Sequence, residues 1–170
     1  ASDQDATFLC DFLDGALSDR SWDPHGQPNY LSTYFPRLHT PTHGFVDWSW
    51  NSEDIVDFVT AFDRPYPGAS TFYSDGLVSL KSAILTPEEG RFHPFQAGLV
   101  FRKIPGLVSI AARPFAIGFE EVIGETGNDL TAQLKLGDRL HTPISYLDDA
   151  RTFRATYTAQ GLRTTTPGRV

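Results

Sequence analysis

The sequence of 170 residues contains no methionine and only one cysteine, Cys10. A single cysteine excludes a disulfide within the chain, which is typical of a reducing compartment, and we expect a cytoplasmic protein. No apolar run approaches the roughly 18 residues that a transmembrane helix needs, and no signal peptide is visible, so we expect no membrane association. Because a chain without methionine does not start at its own initiation codon, we expect it to be processed or to be a piece of a longer protein.

Basic residues are also scarce. There are 14 Lys and Arg against 21 Asp and Glu, which gives a formal net charge of −7. The basic residues are dispersed, and only Arg102 and Lys103 are adjacent. Phosphate binding requires clustered lysines and arginines, so nucleic acid is not an expected partner.

What the sequence does contain is a globular composition, with 40% hydrophobic residues, 13% aromatic residues and many turn formers. Its most strongly patterned stretch is residues 44–69, GFVDWSWNSEDIVDFVTAFDRPYPGA. This stretch predicts a short strand, an aromatic turn, a helix that Asn51 caps, and a loop in which Pro65 and Pro67 end the helix. Four apolar residues at positions i, i+3, i+4 and i+7 would line one helix face: Ile55, Phe58, Val59 and Phe62.

The part before this stretch contains one predicted helix, at residues 5–17, followed by an irregular segment at 18–42. The apolar face of the helix has no partner in the sequence that follows it, and we expect it to pack on a domain outside this chain. The residues of this face are Phe8, Leu9, Phe12, Leu13, Ala16 and Leu17.

From residue 70 onward, short alternating runs bounded by Gly, Pro, Asn and Asp predict antiparallel strands. Val78, Leu80 and Ile84 lie on the more apolar face of the second run. Such strands at regular spacing are typical of a small barrel or a curled sheet. The predicted strands are residues 71–73, 77–85, 97–102, 107–112, 116–123 and 130–136.

The last predicted element is a helix that Thr142 caps, that begins at Pro143 and that ends at Gly161. One face of it would hold Tyr146, Leu147, Ala150, Phe153, Arg154 and Tyr157. The predicted fold class is therefore α+β, an open antiparallel β-barrel with a linker helix before it and a terminal helix after it.

Two groups of polar residues were considered as sites. His39 and His43 have the i, i+4 spacing of helical metal ligands, but Pro41 disfavours a regular helix, and the alternative is two loop histidines at a surface. His93, held extended by the following proline, would either place a hydrogen-bonding group at a cleft or fix a loop to the barrel. The acidic pairs at 120–121 and 148–149 point in different directions and form no acid/base dyad.

Several segments together resemble the C-terminal part of the 10-formyltetrahydrofolate-dependent formyltransferases. That family includes methionyl-tRNA formyltransferase and the sugar-amine N-formyltransferases. The chain is more similar to the sugar-modifying or uncharacterised branches than to the tRNA enzyme, and the acidic charge agrees with this. The block from Asp47 to Ala69, with its D-W-S-W and PYPGA motifs, is the most specific. The other matching segments are Gln27, TYFPRL at 33–38, FHPFQAGLVFRK at 92–103, GNDL at 127–130, GDRLHTP at 137–143 and the terminal L-x-x-A-x-x-F-R helix.

The resemblance implies a Rossmann-like N-terminal domain that binds the folate and carries a catalytic Asn, His and Asp, none of which can be placed on this chain. This chain alone would then bind no cofactor and perform no catalysis. The implied division is 1–43 for the end of the catalytic domain and the linker, 44–69 for a junction, 70–143 for the barrel and 144–170 for the terminal helix and tail.

In such an enzyme this chain would face a small amine acceptor, contact the catalytic domain, or form a homodimer. The candidate residues for that surface, each with core packing as its alternative, are Tyr34, Trp48, Trp50, Tyr66, His93 and Phe95. Two further hypotheses stay open, a stand-alone barrel that binds a ligand or a protein, and a structural or dimerisation module.

Overall fold

A computed structural model describes residues 3–18, 26, 28–33, 35 and 38–165, and the chain divides into two units, 1–35 and 36–170. In the first unit, helix α1 spans Asp3–Leu17 and a 3₁₀ turn spans Asn29–Leu31. The helix confirms the prediction at 5–17, and its large apolar side chains are solvent-exposed within this chain: Phe8, Leu9, Phe12, Leu13 and Leu17. No helix in the described part is long and apolar enough to cross a membrane.

The second unit is a curled, six-stranded antiparallel sheet with helices against it. The sheet order is β3-β4-β5-β2-β1-β6, and a separate hairpin pairs β7 with β8. The bounds are α2 Thr40–His43, α3 Ser52–Phe62, β1 Ala69–Tyr73, β2 Gly76–Thr86, β3 Val100–Ile104, β4 Leu107–Ala111, β5 Ala116–Gly124, β6 Leu140–His141, α4 Ile144–Thr152, β7 Arg154–Thr158 and β8 Gly161–Thr165. This half-barrel confirms the predicted fold class and five of the six predicted barrel strands.

Helix α3 packs its apolar stripe against the sheet, mainly against β2. Ile55, Val59 and Phe62 are buried, as the helical spacing predicts. The side chain of Asn51 accepts a 2.9 Å hydrogen bond from the amide of Asp54, which satisfies one of the free N–H groups at the helix N-terminus. The barrel core around the stripe is formed mainly by Phe119, Leu80, Ile110, Ile117, Leu134 and Leu140.

The two edges of the curled sheet are drawn together by backbone hydrogen bonds. The amide of Val100 donates to Asp138 O at 2.8 Å, Gly137 N donates to Val100 O at 2.8 Å, and Leu140 N donates to Gly98 O at 2.9 Å. These bonds join the segment before β6 to the start of β3. They satisfy edge groups that would otherwise be open to another chain.

The predicted strand at 130–136 is wrong. The amides of Gln133 and Leu134 donate to Leu130 O at 2.8 and 3.1 Å, which makes this segment a helical turn. Leu134 is 1% exposed and Leu136 is 66% exposed. The alternation of leucine and alanine over residues 130–136 is compatible with a strand. Leu130 and Leu134, four residues apart, are equally compatible with one turn of helix, and the structure contains the helical turn.

The prediction that Ile84 lies on the buried face with Val78 and Leu80 is also wrong. Val78 and Leu80 are buried, whereas Ile84 is 45% exposed. Between them, Ser82 has a positive φ of 51°, and its amide donates to the Asp63 carboxylate at 2.7 Å. The backbone therefore leaves the regular pleat at Ser82, and the alternation of faces is interrupted there.

Asp63 gives the first testable prediction. Burial alone would raise the pKa of this carboxyl group, but amide hydrogen bonds from Ser82 and Arg64, with the charges of Lys81 and Arg64, lower it below its ordinary value. A carboxyl group with a depressed folded pKa contributes stability above its ordinary pKa, and this stability is lost as the pH falls through the folded value. We expect Asp63→Asn to reduce the free energy of unfolding by about 1–2 kcal/mol at pH 7.

Urea unfolding at pH 7 and at an acid pH below the lowered folded pKa of Asp63 checks this expectation. The deficit of Asp63→Asn should shrink in acid, because the wild-type carboxylate is then protonated. Asp57→Asn, at an exposed position of α3, is the control and should change stability little at either pH. A deficit that is independent of pH would contradict the assignment.

The terminal helix is shorter than predicted. It is capped by Pro143 rather than Thr142, and it ends at Thr152 because Phe153 is extended. The residues after Phe153, which were predicted to continue the helix to Gly161, form the β7–β8 hairpin instead. The β-branched threonines in this segment favour a strand over a helix.

Candidate acceptor-side surface

Trp48 belongs to the junction at residues 44–69, and its side chain is buried in the core against the sheet. The predicted short strand here is a single parallel bridge between Phe45 and Ser70. Trp48 is 8% exposed, its indole N–H donates to Thr71 Oγ1 at 2.9 Å, and its ring meets Phe119 edge-on at 6.5 Å. The structure therefore places this candidate where it anchors the junction.

Trp50 and Tyr66 lie nearer the surface. Trp50 is half-buried and packs edge-on against Phe58 at 5.0 Å, beside an open depression of about 340 Å³ that Asp54 and Asp57 also line. Tyr66 is 53% exposed in the loop after α3. Tyr34, the remaining aromatic candidate before the junction, lies outside the described residues.

His93 and Phe95 are brought together by a 3₁₀ turn at Pro94–Gln96. The ring nitrogen Nδ1 of His93 accepts from the Phe95 amide at 3.2 Å, and the His93 amide donates to Gln96 Oε1 at 2.8 Å. This reciprocal pair is a capping box, in which histidine replaces the usual hydroxyl residue. His93 therefore fixes the loop, while its ring remains exposed at the surface.

Phe95 is 79% exposed, yet it is held in place by Arg139. The Arg139 guanidinium lies 5.4 Å from the centre of the Phe95 ring, and its Nη1 donates to Phe95 O at 2.7 Å and to Ala97 O at 3.1 Å. Sequence reasoning missed Arg139, because nothing local connects it to a residue 44 positions earlier.

The histidines 39 and 43 pack against the end of α4. The His39 amide donates to His43 Nδ1 at 2.7 Å, so the other nitrogen, Nε2, carries the proton and donates to Phe153 O at 3.2 Å. Both histidine rings also lie 5.5 Å from the Phe153 ring centre. Both nitrogens of His43 are used in these contacts, and no group of three or more potential metal ligands occurs among the described residues.

An ion pair between the exposed Arg151 and the buried Asp47, which sequence reasoning also missed, joins α4 to the junction. Asp47 is 7% exposed, and its carboxylate accepts from Arg151 Nη2 at 3.2 Å and from the Ser49 amide and hydroxyl at 2.9 and 2.6 Å. A second nitrogen of Arg151 donates to Asp148 at 3.0 Å. The two partners are 104 residues apart, and no local pattern links them.

The sequence profile of the family described as formyl transferase, C-terminal domain, matches residues 39–136. The match covers more than half of the chain and spans the junction and strands β1 to β5. The chain belongs to the formyl transferase C-terminal domain family. A solved structure of a HypX variant from Aquifex aeolicus is similar at 19% sequence identity and a TM-score of 0.47, over 69% of this chain and 19% of the HypX chain. This chain thus spans about a fifth of the HypX chain.

Among the residues that the structure describes, no histidine ring is hydrogen-bonded to a carboxylate, the arrangement that general-base catalysis by histidine commonly uses. The exposed candidates are Tyr66, His93 and Phe95, while Trp48 and Trp50 pack in or against the core.

Proposed function

We propose that this chain is the C-terminal, non-catalytic portion of an enzyme that moves a formyl group from 10-formyltetrahydrofolate to an amine. The observation that carries the proposal is the family match over the junction and the barrel. In this reaction the amine nitrogen attacks the formyl carbon and loses a proton, while hydrogen-bond donors hold the developing oxyanion. Those catalytic groups and the folate would belong to a Rossmann-like N-terminal domain.

The acceptor proposed is a sugar amine rather than methionyl-tRNA. With a net charge of −7 and only one adjacent pair of basic residues, the chain has no clustered lysines and arginines to follow a tRNA backbone. A small amine needs no such channel. The charge pattern supports this choice, and it leaves the identity of the sugar open.

The candidate residues would have two different roles, contact at the surface and positioning of the junction. Tyr66, His93 and Phe95 are exposed and would face the acceptor or the catalytic domain. Trp48 and Trp50 are packed and would fix the angle at which the junction leaves the barrel. Because the exposed rings would contact the acceptor without touching the reacting atoms, they should affect its binding more than the chemical step.

The proposal is tested with the intact protein that contains these 170 residues, using 10-formyltetrahydrofolate labelled in the formyl group. We expect the label to appear on an amino sugar and not on methionyl-tRNA. Transfer to methionyl-tRNA would overturn the acceptor class. Transfer to neither acceptor, together with no detectable folate binding, would overturn the proposal.

Phe95→Ala in the same intact protein should raise the KM for the amino sugar about fivefold, since ring stacking is worth on the order of 1 kcal/mol, and should leave kcat within about twofold. The substitution removes an exposed side chain, so the fold should survive. Ile144→Ala, which removes another exposed apolar side chain, is the control and should leave both constants unchanged. An unchanged KM for Phe95→Ala would remove this residue from the acceptor surface.

A further inference from the structure

A cleft of about 520 Å³ opens between the β3–β4 turn, the outer face of β5 and the turn at 129–136. Its volume falls within the range of pockets that hold small molecules. Among the candidates that the structure describes, none lines it, and this holds for Trp48, Trp50, Tyr66, His93 and Phe95. We call it the hairpin cleft, after the β3–β4 hairpin that forms one wall.

The walls of the hairpin cleft are largely apolar. Ile104 and Pro105 come from the β3–β4 turn, and Leu136 comes from the opposite side. Ile104 is 51% exposed and Leu136 is 66% exposed, although both are large apolar side chains. Single exposed apolar residues are ordinary, but these two face a common cavity, and a ligand that covered both would remove their apolar surface from water.

Two polar groups of the hairpin cleft are fixed in place. The carboxylate of Asp129 accepts from the Thr131 amide at 2.8 Å, and hydrogen bonds from Thr131 lower the pKa of Asp129, so it is ionised at neutral pH. The Lys103 ammonium donates to Leu134 O at 2.9 Å and to Ala132 O. The ammonium group of Lys103 is therefore hydrogen-bonded to backbone carbonyl groups.

The charge balance of the hairpin cleft favours a cation. Glu120 and Asp129 contribute two carboxylates, and Lys103 contributes the single ammonium. Glu120 is exposed on β5, beyond the core residue Phe119, and faces the same cleft. An anionic ligand would meet two like charges here, whereas an ammonium group would meet opposite ones.

We propose that the hairpin cleft binds an aliphatic amine, with its ammonium group against Glu120 and Asp129 and its alkyl chain over Ile104 and Leu136. The inference goes beyond the proposed function, because it requires neither folate nor a catalytic domain. The 170-residue chain alone should bind such a ligand.

The test is a titration of the chain with n-hexylamine, 1-hexanol and hexanoate at pH 7, followed by methyl NMR signals of Ile104 and Leu136. We expect hexylammonium to saturate the shifts with a Kd on the order of 1 mM, about fivefold tighter than hexanol, with hexanoate the weakest. No saturable shift with hexylammonium, or equal binding of amine and alcohol, would overturn the proposal. Neither result bears on formyl transfer by the intact protein, so this proposal and the proposed function can be contradicted independently.

Three variants sharpen the same titration. Glu120→Gln should weaken hexylammonium about fivefold and leave hexanol unchanged, because it removes only the charge. Leu136→Ala should weaken both ligands. Glu88→Gln, an exposed acid outside the hairpin cleft, should weaken neither. Equal hexylammonium binding by Glu120→Gln and wild type would place the amine elsewhere and overturn the assignment.

Discussion

Gly98→Ala should lower the free energy of unfolding by about 3 kcal/mol or more. Gly98 has a φ of +81°, and a Cβ there would overlap the carbonyl oxygen of Leu140. Relief of the overlap requires Leu140 to move, which would break its 2.9 Å amide hydrogen bond to Gly98 O. The loss should be large because this bond is one of those that join the two edges of the sheet.

Gly106→Ala is the control that measures the cost of the positive φ without an overlap between the new Cβ and a neighbouring atom. Gly106 has nearly the same φ, +77°, but a Cβ there would meet nothing within 4 Å. The backbone strain alone should cost about 1 kcal/mol. Urea unfolding of both variants gives the comparison, and equal losses would contradict the role assigned to the contact between Gly98 and Leu140.

Trp48→Ala should lower the free energy of unfolding by about 3–5 kcal/mol. The indole is 8% exposed, packs against Phe119 and donates to Thr71. Its removal would leave a cavity below the junction and take away the donor that Thr71 Oγ1 accepts from. The side chain also ties residues 44–51 to the sheet, so the variant should loosen the junction as well.

Trp50→Ala is the matched control, because it removes the same side chain two positions later. Trp50 is half-buried and packs against Phe58 of α3. Its removal should cost about 1–2 kcal/mol, since less apolar surface returns to water. If both variants lost the same stability, the anchoring role of Trp48 would be wrong.

Local patterns predicted helix α3 and five strands well, because each depends on residues close together in the chain. Ile55, Val59 and Phe62 repeat at the helical period, and Asn51 caps the same helix. The spacing of leucines around Leu134 is compatible with both a strand and one turn of helix. Ser82 interrupts its strand through a hydrogen bond to Asp63, a partner that no window along the chain would include.

The sequence allowed individual residues of the candidate surface to be predicted, but not their contacts with distant residues. His93 and Phe95 were singled out from the sequence, and they do share one turn. Arg139, which holds Phe95, and Arg151, which pairs with Asp47, come from distant segments. Tertiary contacts of this kind follow from the closure of the sheet and the return of α4 onto the junction, and neither has a local signal.

We propose that this formyl transferase C-terminal domain positions an amine acceptor and performs no chemistry by itself. The most direct measurement compares the intact protein with the isolated 170 residues in the same assay, with labelled 10-formyltetrahydrofolate and the same amino sugar. The account predicts transfer by the intact protein and no transfer above the uncatalysed background by the isolated chain. Turnover by the isolated chain would contradict it.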